Sequence, residues 1–313
     1  MQAVILSEYG PASKLELKEV EKPFYNDDQV LVKMRAAGIN PVDTKIRAGS
    51  SGMCAKISLP VILGFDLSGT IEAVGKNVQE FKIGDRVMGC VGFPGLGKTY
   101  ADYVMAEPVH LTLMPENIDF EEAAAVPLAG LTAYQAIHDH LQVKSGQRIL
   151  IQAAAGGVGH LAVQFANLAG ASVSGTASEE NLDFLRELGV DQPIDYKKTK
   201  FEDAVDELDA AVDAMGGEIL YRTLRSVKKG GRVVCLPSST KDDPVAIKLA
   251  KEREIELIWP LMYTDKKQMQ HIASLLEQEK IKVRIDKVFP IEKVVEAHQQ
   301  IESHHTTGKV VIV

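Results

Sequence analysis

No apolar run in this chain approaches the ~20 residues that a membrane-spanning helix needs. The opening Met1-Gln-Ala-Val-Ile-Leu-Ser7 reads as a strand without a basic leader, so a membrane protein is not expected. Cysteine is scarce. Cys54, Cys90 and Cys235 stand apart, with no CxxC pair and no even set for a disulfide framework. That usage points to a reducing cytoplasm. Positive charge is also short: 35 Lys and Arg face 43 Asp and Glu, a net charge of -8. Such a balance argues against nucleic acid or an anionic membrane as the main partner. Aromatic residues make up only 6% and no basic aromatic stripe is present, which counts against RNA. There is no internal repeat and no low-complexity segment.

What remains is an ordinary globular composition, 45% hydrophobic and 25% charged, over 313 residues. That length allows two domains with proper cores. Residues 1–120 read mainly as strands, at Ala3–Leu6, Val30–Arg35, Asp66–Val74, Arg86–Gly89 and Ala101–Met105, punctuated by glycines. Glu121–Pro127 and Leu131–His140 then read as helices. Strands follow at Ile149–Gln152, Ser172–Thr176, Ala210–Ala214, Arg232–Leu236 and Ile255–Ile258, alternating with helices such as Asn181–Leu188. This β-α-β alternation predicts an α/β fold: a compact β domain over 1–120 and a doubly wound parallel sheet of Rossmann type over 121–284. The tail, with helices near Lys266–Gln278 and Ile291–Ser303 and a last strand Lys309–Val313, is expected to return over 285–313 and complete the first domain's sheet.

The segment Ile149-Leu-Ile-Gln-Ala-Ala-Ala-Gly-Gly-Val-Gly-His160 carries the chemistry. It places Ala154, Gly156, Gly157, Val158 and Gly159 in a strand-turn-helix unit, with alanine in the first slot of G-x-G-x-x-G. Gly156 lets the backbone approach a pyrophosphate, Gly159 lets the helix pack on the strand, and the helix N-terminus favours the phosphate charge. A dinucleotide is therefore the expected cofactor. Enzymes that prefer NAD place an acid at the end of the second strand, whereas here that end reads Thr176-Ala-Ser178. Thr176 and Ser178 leave room and hydrogen bonds for a 2′-phosphate, which favours NADP(H). Ser178 reads equally as a helix N-cap. Tyr196 and Lys197 are the nearest candidates to close over the phosphate.

Five ordered segments, Ala37-Gly-Ile-Asn-Pro-Val-Asp43, Leu63-Gly-Phe-Asp-Leu-Ser-Gly69, Gly84-Asp-Arg-Val87, Ala153–Gly159 and Thr306-Thr-Gly-Lys309, give the chain a resemblance across nearly its whole length. It resembles the zinc-independent quinone oxidoreductases, the zeta-crystallin-like branch of the medium-chain dehydrogenase/reductase superfamily. The resemblance implies a GroES-like substrate domain, a Rossmann domain, NADPH in the cleft between them, and commonly a homodimer. Zinc alcohol dehydrogenases of the same superfamily carry a cysteine ligand where this chain has Asn40 and a histidine ligand where it has Phe65. Neither residue here is a zinc ligand, so no metal is expected. A metal-free site suits a quinone or conjugated enone, which spreads the charge that hydride brings through its own π system.

The resemblance places Asn40 near the nicotinamide ribose and the acceptor; otherwise it is a turn residue before Pro41. Lys45 stands where many members of the family have a tyrosine lining the quinone site. It reads either as a polarising or proton-donating group or as an exposed lysine. Thr132, in Gly130-Leu-Thr-Ala-Tyr134, is the candidate for a hydrogen bond beside the nicotinamide, with a core-facing helix position as the alternative. Tyr134 reads as packing. Gly308 and Lys309 match the family's C-terminal contact with the cofactor, although a glycine turn before the last strand is a fair alternative. Leu236, after a Rossmann strand, is expected along the nicotinamide half.

Other signals are discounted. Gly92-Phe-Pro-Gly-Leu-Gly-Lys-Thr99 satisfies the phosphate-loop expression, but a strand pattern follows it rather than a helix. The pairs His138/His140 and His304/His305 lack ligand spacing. His160 is expected to cap or pack, and Asp85 to hold a turn. The function classes carried forward are a quinone reductase, an enoyl, alkenal or carbonyl reductase, and an NADPH-binding protein with a structural or RNA-binding role.

Overall fold

The computed structural model describes residues 1–313, which divide into two units, residues 1–131 with 263–313 and residues 132–262. The first unit contains strands β1 (Gln2–Leu6), β2 (Leu15–Glu19), β3 (Val30–Ile39), β4 (Val61–Ile62), β5 (Asp66–Val74), β6 (Arg86–Cys90), β7 (Tyr103–Ala106) and β8 (Leu111–Leu113). Alternation decides its core: Val30, Val32, Leu67, Ile71, Val87 and Leu111 point inward from neighbouring antiparallel strands.

The second unit holds β9 (Arg148–Ile151), β10 (Ser172–Ala177), β11 (Gln192–Asp195), β12 (Leu208–Asp213), β13 (Val227–Cys235) and β14 (Glu256–Ile258). All pairs are parallel, and the spatial order is β11-β10-β9-β12-β13-β14. This is the doubly wound order in which the strand sequence reverses between β9 and β12, where open sheets bind ligands at their carboxyl ends. Leu150, Ala211, Leu220, Leu224 and Val233 fill one side of the sheet. The helix Gly159–Leu168 is buried from Gly159 through Ala166. Its apolar positions Leu161, Ala162 and Phe165 are joined in that burial by polar His160 and Gln164.

The tail returns to the first unit as β15 (Ile285–Phe289), the helix Val294–Glu302 and β16 (Lys309–Ile312). Strand β16 pairs antiparallel with β3, Val310 opposite Ile39 and Ile312 opposite Ala37, giving the sheet order β15-β16-β3-β5-β6-β8.

Several boundaries differ from expectation. Residues 121–131 and 263–284 belong to the first unit. The helix Phe120–Ala125, capped by Asp119 accepting from the Glu122 N–H, packs on β3, β5 and β16, and Asn117 Nδ2 donates to the Leu276 carbonyl on the helix Lys266–Glu277. The expected helix Glu121–Pro127 ends at Ala125, because Pro127 suits the first turn of the next helix, Pro127–Tyr134. A π-helical segment, Gln135–His140, follows it. The Gly92–Thr99 segment forms no helix; Gly92 turns at φ 66° and β7 comes next. No helix is long and apolar enough to cross a membrane.

Candidate active site

In the second unit the turn after β9 is built by its own backbone. Ala153 adopts φ 50°, and its N–H donates to Thr176 Oγ1 (3.1 Å). The Ala154 N–H donates to the Thr176 carbonyl (2.9 Å) and the Gly156 N–H to the Ala153 carbonyl (2.9 Å). Alanine is accepted in the first slot of the fingerprint because Gly175 faces it: a Cβ on Gly175 would fall 2.9 Å from the Ala154 methyl. At Gly159 a Cβ would fall 2.2 Å from the Ala153 carbonyl oxygen, so only glycine lets the helix start under this turn. At Gly156 a Cβ would meet only the Ala153 oxygen, at 3.2 Å. That glycine is not demanded by packing within the protein, which leaves the space beside it for a ligand. Gly157 and Val158 complete the turn half-buried.

A chain of buried side chains crosses the carboxyl ends of the strands beneath this loop. Thr176 Oγ1 donates to Gln152 Oε1 (2.7 Å), Gln152 Nε2 to Thr223 Oγ1 (3.3 Å) and Thr223 Oγ1 to Asp213 Oδ2 (3.0 Å). Asp213 Oδ1 accepts the N–H groups of Met215 and Gly216. Burial pushes the Asp213 carboxyl up, against the pull of those donors. The Thr176 hydroxyl is thus spent on the loop and on Gln152. Gln152, Thr223 and Asp213 carry no motif that would single them out in the sequence.

Beyond Thr176, no carboxylate ends β10. Ser178 caps the next turn through its backbone and accepts from Asn181 Nδ2 (3.1 Å). Parallel pairing sets Ala177 beside Asp195, which brings Tyr196, 54% exposed, and Lys197 to the same sheet end. Lys197 Nζ lies 5.9 Å from the Tyr196 ring centre, and Lys198 pairs with Glu179. Leu236, half-buried, donates its N–H to the Asp213 carbonyl (2.8 Å). Thr132 is half-buried on its helix.

The first unit contains a different cluster, on the helix Pro41–Arg47 and the adjoining strands. Asn40 precedes that helix, and its N–H donates to Asp43 Oδ2 (2.8 Å). Asn40 Nδ2 donates to Asp66 Oδ2 (2.8 Å), while the Leu128 N–H donates to Asp66 Oδ1 (2.7 Å). Lys309 Nζ donates to the Ile39 carbonyl (3.1 Å), to Asn40 Oδ1 and to Asp66 Oδ2 (3.3 Å). Asn40, Asp43, Asp66 and Lys309 are all buried, Lys309 at 2% exposure. Burial raises the Asp43 carboxyl to about 7, helped by the Asp66 charge and opposed by the Asn40 N–H and Lys309. Burial also raises Asp66, although Lys309 pulls it back. The Cys90 thiol and Tyr100 hydroxyl, buried near the same carboxylates, are pushed far above their ordinary range.

Lys45 sits exposed on the outer face of the helix, and Gly308 turns at φ 80°, where a Cβ would strike the Arg284 carbonyl. Asp43 and Asp66 escaped the site reading. Asp43, three residues after Asn40, was a legible capping signal; Asp66 was visible only as part of a family segment. Of the discounted residues, His160 Nδ1 bonds the Gly156 carbonyl (2.8 Å), Asp85 accepts the Lys82 N–H, and His138 packs on Tyr134 and Phe165. His304 and His305 are exposed.

Zinc does not fit the positions at which its ligands stand in zinc alcohol dehydrogenases. Phe65 packs edge-on against Phe93, and the Asn40 amide is held by a carboxylate and an ammonium. No group of three or more His, Cys, Asp or Glu side chains is arranged to hold a metal ion.

Comparison with known proteins agrees with this architecture. The alcohol dehydrogenase GroES-like domain matches residues 26–116, and the zinc-binding dehydrogenase family matches residues 188–312. The chain is 34% identical to an NADPH-dependent alkenal/one oxidoreductase of Arabidopsis thaliana chloroplasts, over 100% of this chain and 79% of that protein. It superposes on the quinone oxidoreductase of Coxiella burnetii with a TM-score of 0.94 at 36% identity, covering 100% and 98% of the two chains. It also superposes on the Escherichia coli quinone oxidoreductase solved with NADPH, with a TM-score of 0.91 at 25% identity and 100% coverage of both. Two domains in this order, the reversal between β9 and β12 and the absence of a zinc ligand set agree with these likenesses, and the chain belongs to the zinc-independent, quinone oxidoreductase-like branch of the medium-chain dehydrogenase/reductase superfamily.

Proposed function

We propose that this protein is an NADPH-dependent oxidoreductase that passes reducing equivalents to quinones or related conjugated carbonyls. The observation that carries the reading is the β9 turn: Gly159 is forced by packing, whereas Gly156 leaves open space, and the neighbouring strand ends without an acid. The fit to NADPH is chemical as well as steric. The loop Ala154–Gly159 would hold the pyrophosphate at the helix N-terminus. Ser178, Tyr196 and Lys197 would meet the adenosine 2′-phosphate, and Leu236 would lie along the nicotinamide half. When bound, NADPH supplies a hydride from its nicotinamide C4. The protein's part is to bind, orient and exclude water, with Asn40 and Thr132 as polar contacts beside the acceptor and with solvent as the source of the proton. Lys45 is exposed, and it serves the acceptor only if the acceptor reaches that face. The three free thiols support a reducing compartment, the cytoplasm, and a homodimer belongs to the same reading.

Oxidation of NADPH, followed at steady state with a panel of quinones against a panel of enones and aldehydes, tests this. Quinones are expected to turn over. Good turnover of enones with none of quinones would move the assignment to an alkenal reductase, a reading that the Arabidopsis relative favours. Activity is expected to be unchanged after exhaustive treatment with a chelator, and the purified protein is expected to contain no stoichiometric zinc. Loss of activity that added zinc restores would refute the metal-free site.

A further inference from the structure

The hydrogen bonds around Asn40 determine which end of its amide can serve a ligand. One Nδ2–H is committed to the Asp66 carboxylate, and Oδ1 is turned onto the Lys309 ammonium. Rotating the amide by half a turn would set its NH2 against the ammonium and its carbonyl against the carboxylate. Both contacts would then be repulsive in a buried setting, so the orientation is determined by charge. The second Nδ2–H is the donor left over.

We propose that Asp66 and Lys309 are positioning residues that lock the Asn40 amide so that it offers an N–H, not a carbonyl, to the acceptor oxygen on which charge develops. The proposal rests on the reading of Asn40 as the group beside the acceptor. A donor fixed in advance and aimed at developing negative charge accelerates hydride transfer, because nothing need reorganise as the charge appears. It also gives Lys309 a role distinct from the cofactor contact that the family pattern implies. Lys309 is 2% exposed, and its ammonium is used up by Ile39, Asn40 and Asp66. A buried Lys–Asp pair next to an amide does little for stability that a well-packed apolar pair would not do. Control of the amide's polarity is the property that only the charged pair provides.

Lys309→Met alone leaves Asp66 buried without its partner and threatens the fold, so the decisive variant is the double Asp66→Asn/Lys309→Met, which removes both charges and keeps the volumes. The expected result is recovery of Tm relative to Lys309→Met, NADPH Kd within about twofold of wild type, and kcat about tenfold or more below wild type. Lys309→Arg, which keeps a cation, is expected to recover part of kcat. A double variant that regains kcat together with Tm would reduce the pair to scaffolding. A rise in NADPH Kd with unchanged kcat would return Lys309 to the cofactor. A readout independent of turnover is the Asn40 side-chain amide resonance, assigned by its loss in Asn40→Asp. One of its two protons should exchange slowly in the wild type and both should exchange alike in the double variant. If both exchange alike in the wild type, the clamp is overturned. If the wild type shows the protected proton and yet reduces no quinone or enone, the proposed activity fails while the clamp stands.

Discussion

Gly156→Ala and Gly159→Ala are expected to damage the protein in different ways, although they sit three residues apart in one motif. At Gly159 the added methyl would lie 2.2 Å from the Ala153 carbonyl oxygen and 2.8 Å from Ala154 Cα. Both are backbone atoms, so no rotamer change relieves the overlap. The turn after β9 must shift, and Ala153 already holds φ 50° there, with its N–H tied to Thr176. Overpacking of this kind costs about 3 kcal/mol, which corresponds to a fall in Tm of roughly 8 °C, together with loss of NADPH binding. At Gly156 the methyl meets only one oxygen, at 3.2 Å, and Tm is expected to stay within about 2 °C of wild type. On the proposed function the methyl would instead fill the space through which a pyrophosphate reaches the backbone, and NADPH Kd should rise about tenfold or more. Calorimetry and fluorescence titration on the two variants separate the effects. Unchanged NADPH affinity in Gly156→Ala would mean that the open side of this turn is not where the phosphates lie.

That contrast also marks the limit of what the chain disclosed as a string of residues. The alternation of apolar runs with helical segments after Phe120 was enough to anticipate a doubly wound sheet, because each β-α repeat is local. The return of Lys309–Val313 to β3 was legible for a related reason: a terminal apolar strand must find a partner. The internal chain Thr176–Gln152–Thr223–Asp213 was not legible, since its members come from four elements and meet only across the sheet. Nor was the inward turn of the Lys309 ammonium. In the sequence Lys309 is a lysine after a glycine turn. Only the antiparallel register of Val310 with Ile39 carries it to Asn40. Thr176 makes the same point from the other side: its place at the end of β10 was evident, but the direction of its hydroxyl depended on Gln152.

Replacing His298 by phenylalanine is expected to raise stability relative to the wild type, progressively as the solution is acidified. His298 is completely buried in the first unit, its ring edge-on to Tyr100 at 5.8 Å, and neither ring nitrogen has a hydrogen-bond partner. Burial lowers its pKa from 6.5 to about 3, with the Arg47 charge adding to the shift. The unfolded chain therefore takes up a proton below pH 6.5 that the folded protein refuses, and stability falls by about 1.4 kcal/mol per pH unit from 6.5 toward 3. Asp43 acts with the opposite sign. Its pKa rises from 3.8 to about 7 on folding, so the folded state holds a proton that the unfolded chain has lost. The resulting stability is fully present below pH 3.8 and disappears as pH rises to about 7. In the wild type the two slopes nearly cancel between about pH 4 and 6.5. His298→Phe removes one of them without breaking a hydrogen bond. The stability difference, variant minus wild type, should then be about 2 kcal/mol larger at pH 5 than at pH 7.5. Thermal unfolding of both proteins across that range measures it, and the imidazole resonances of the wild type should show His298 still neutral at pH 5. Parallel curves for the two proteins would show that His298 is already protonated in the fold, and that a counter-charge or water reaches the ring nitrogens.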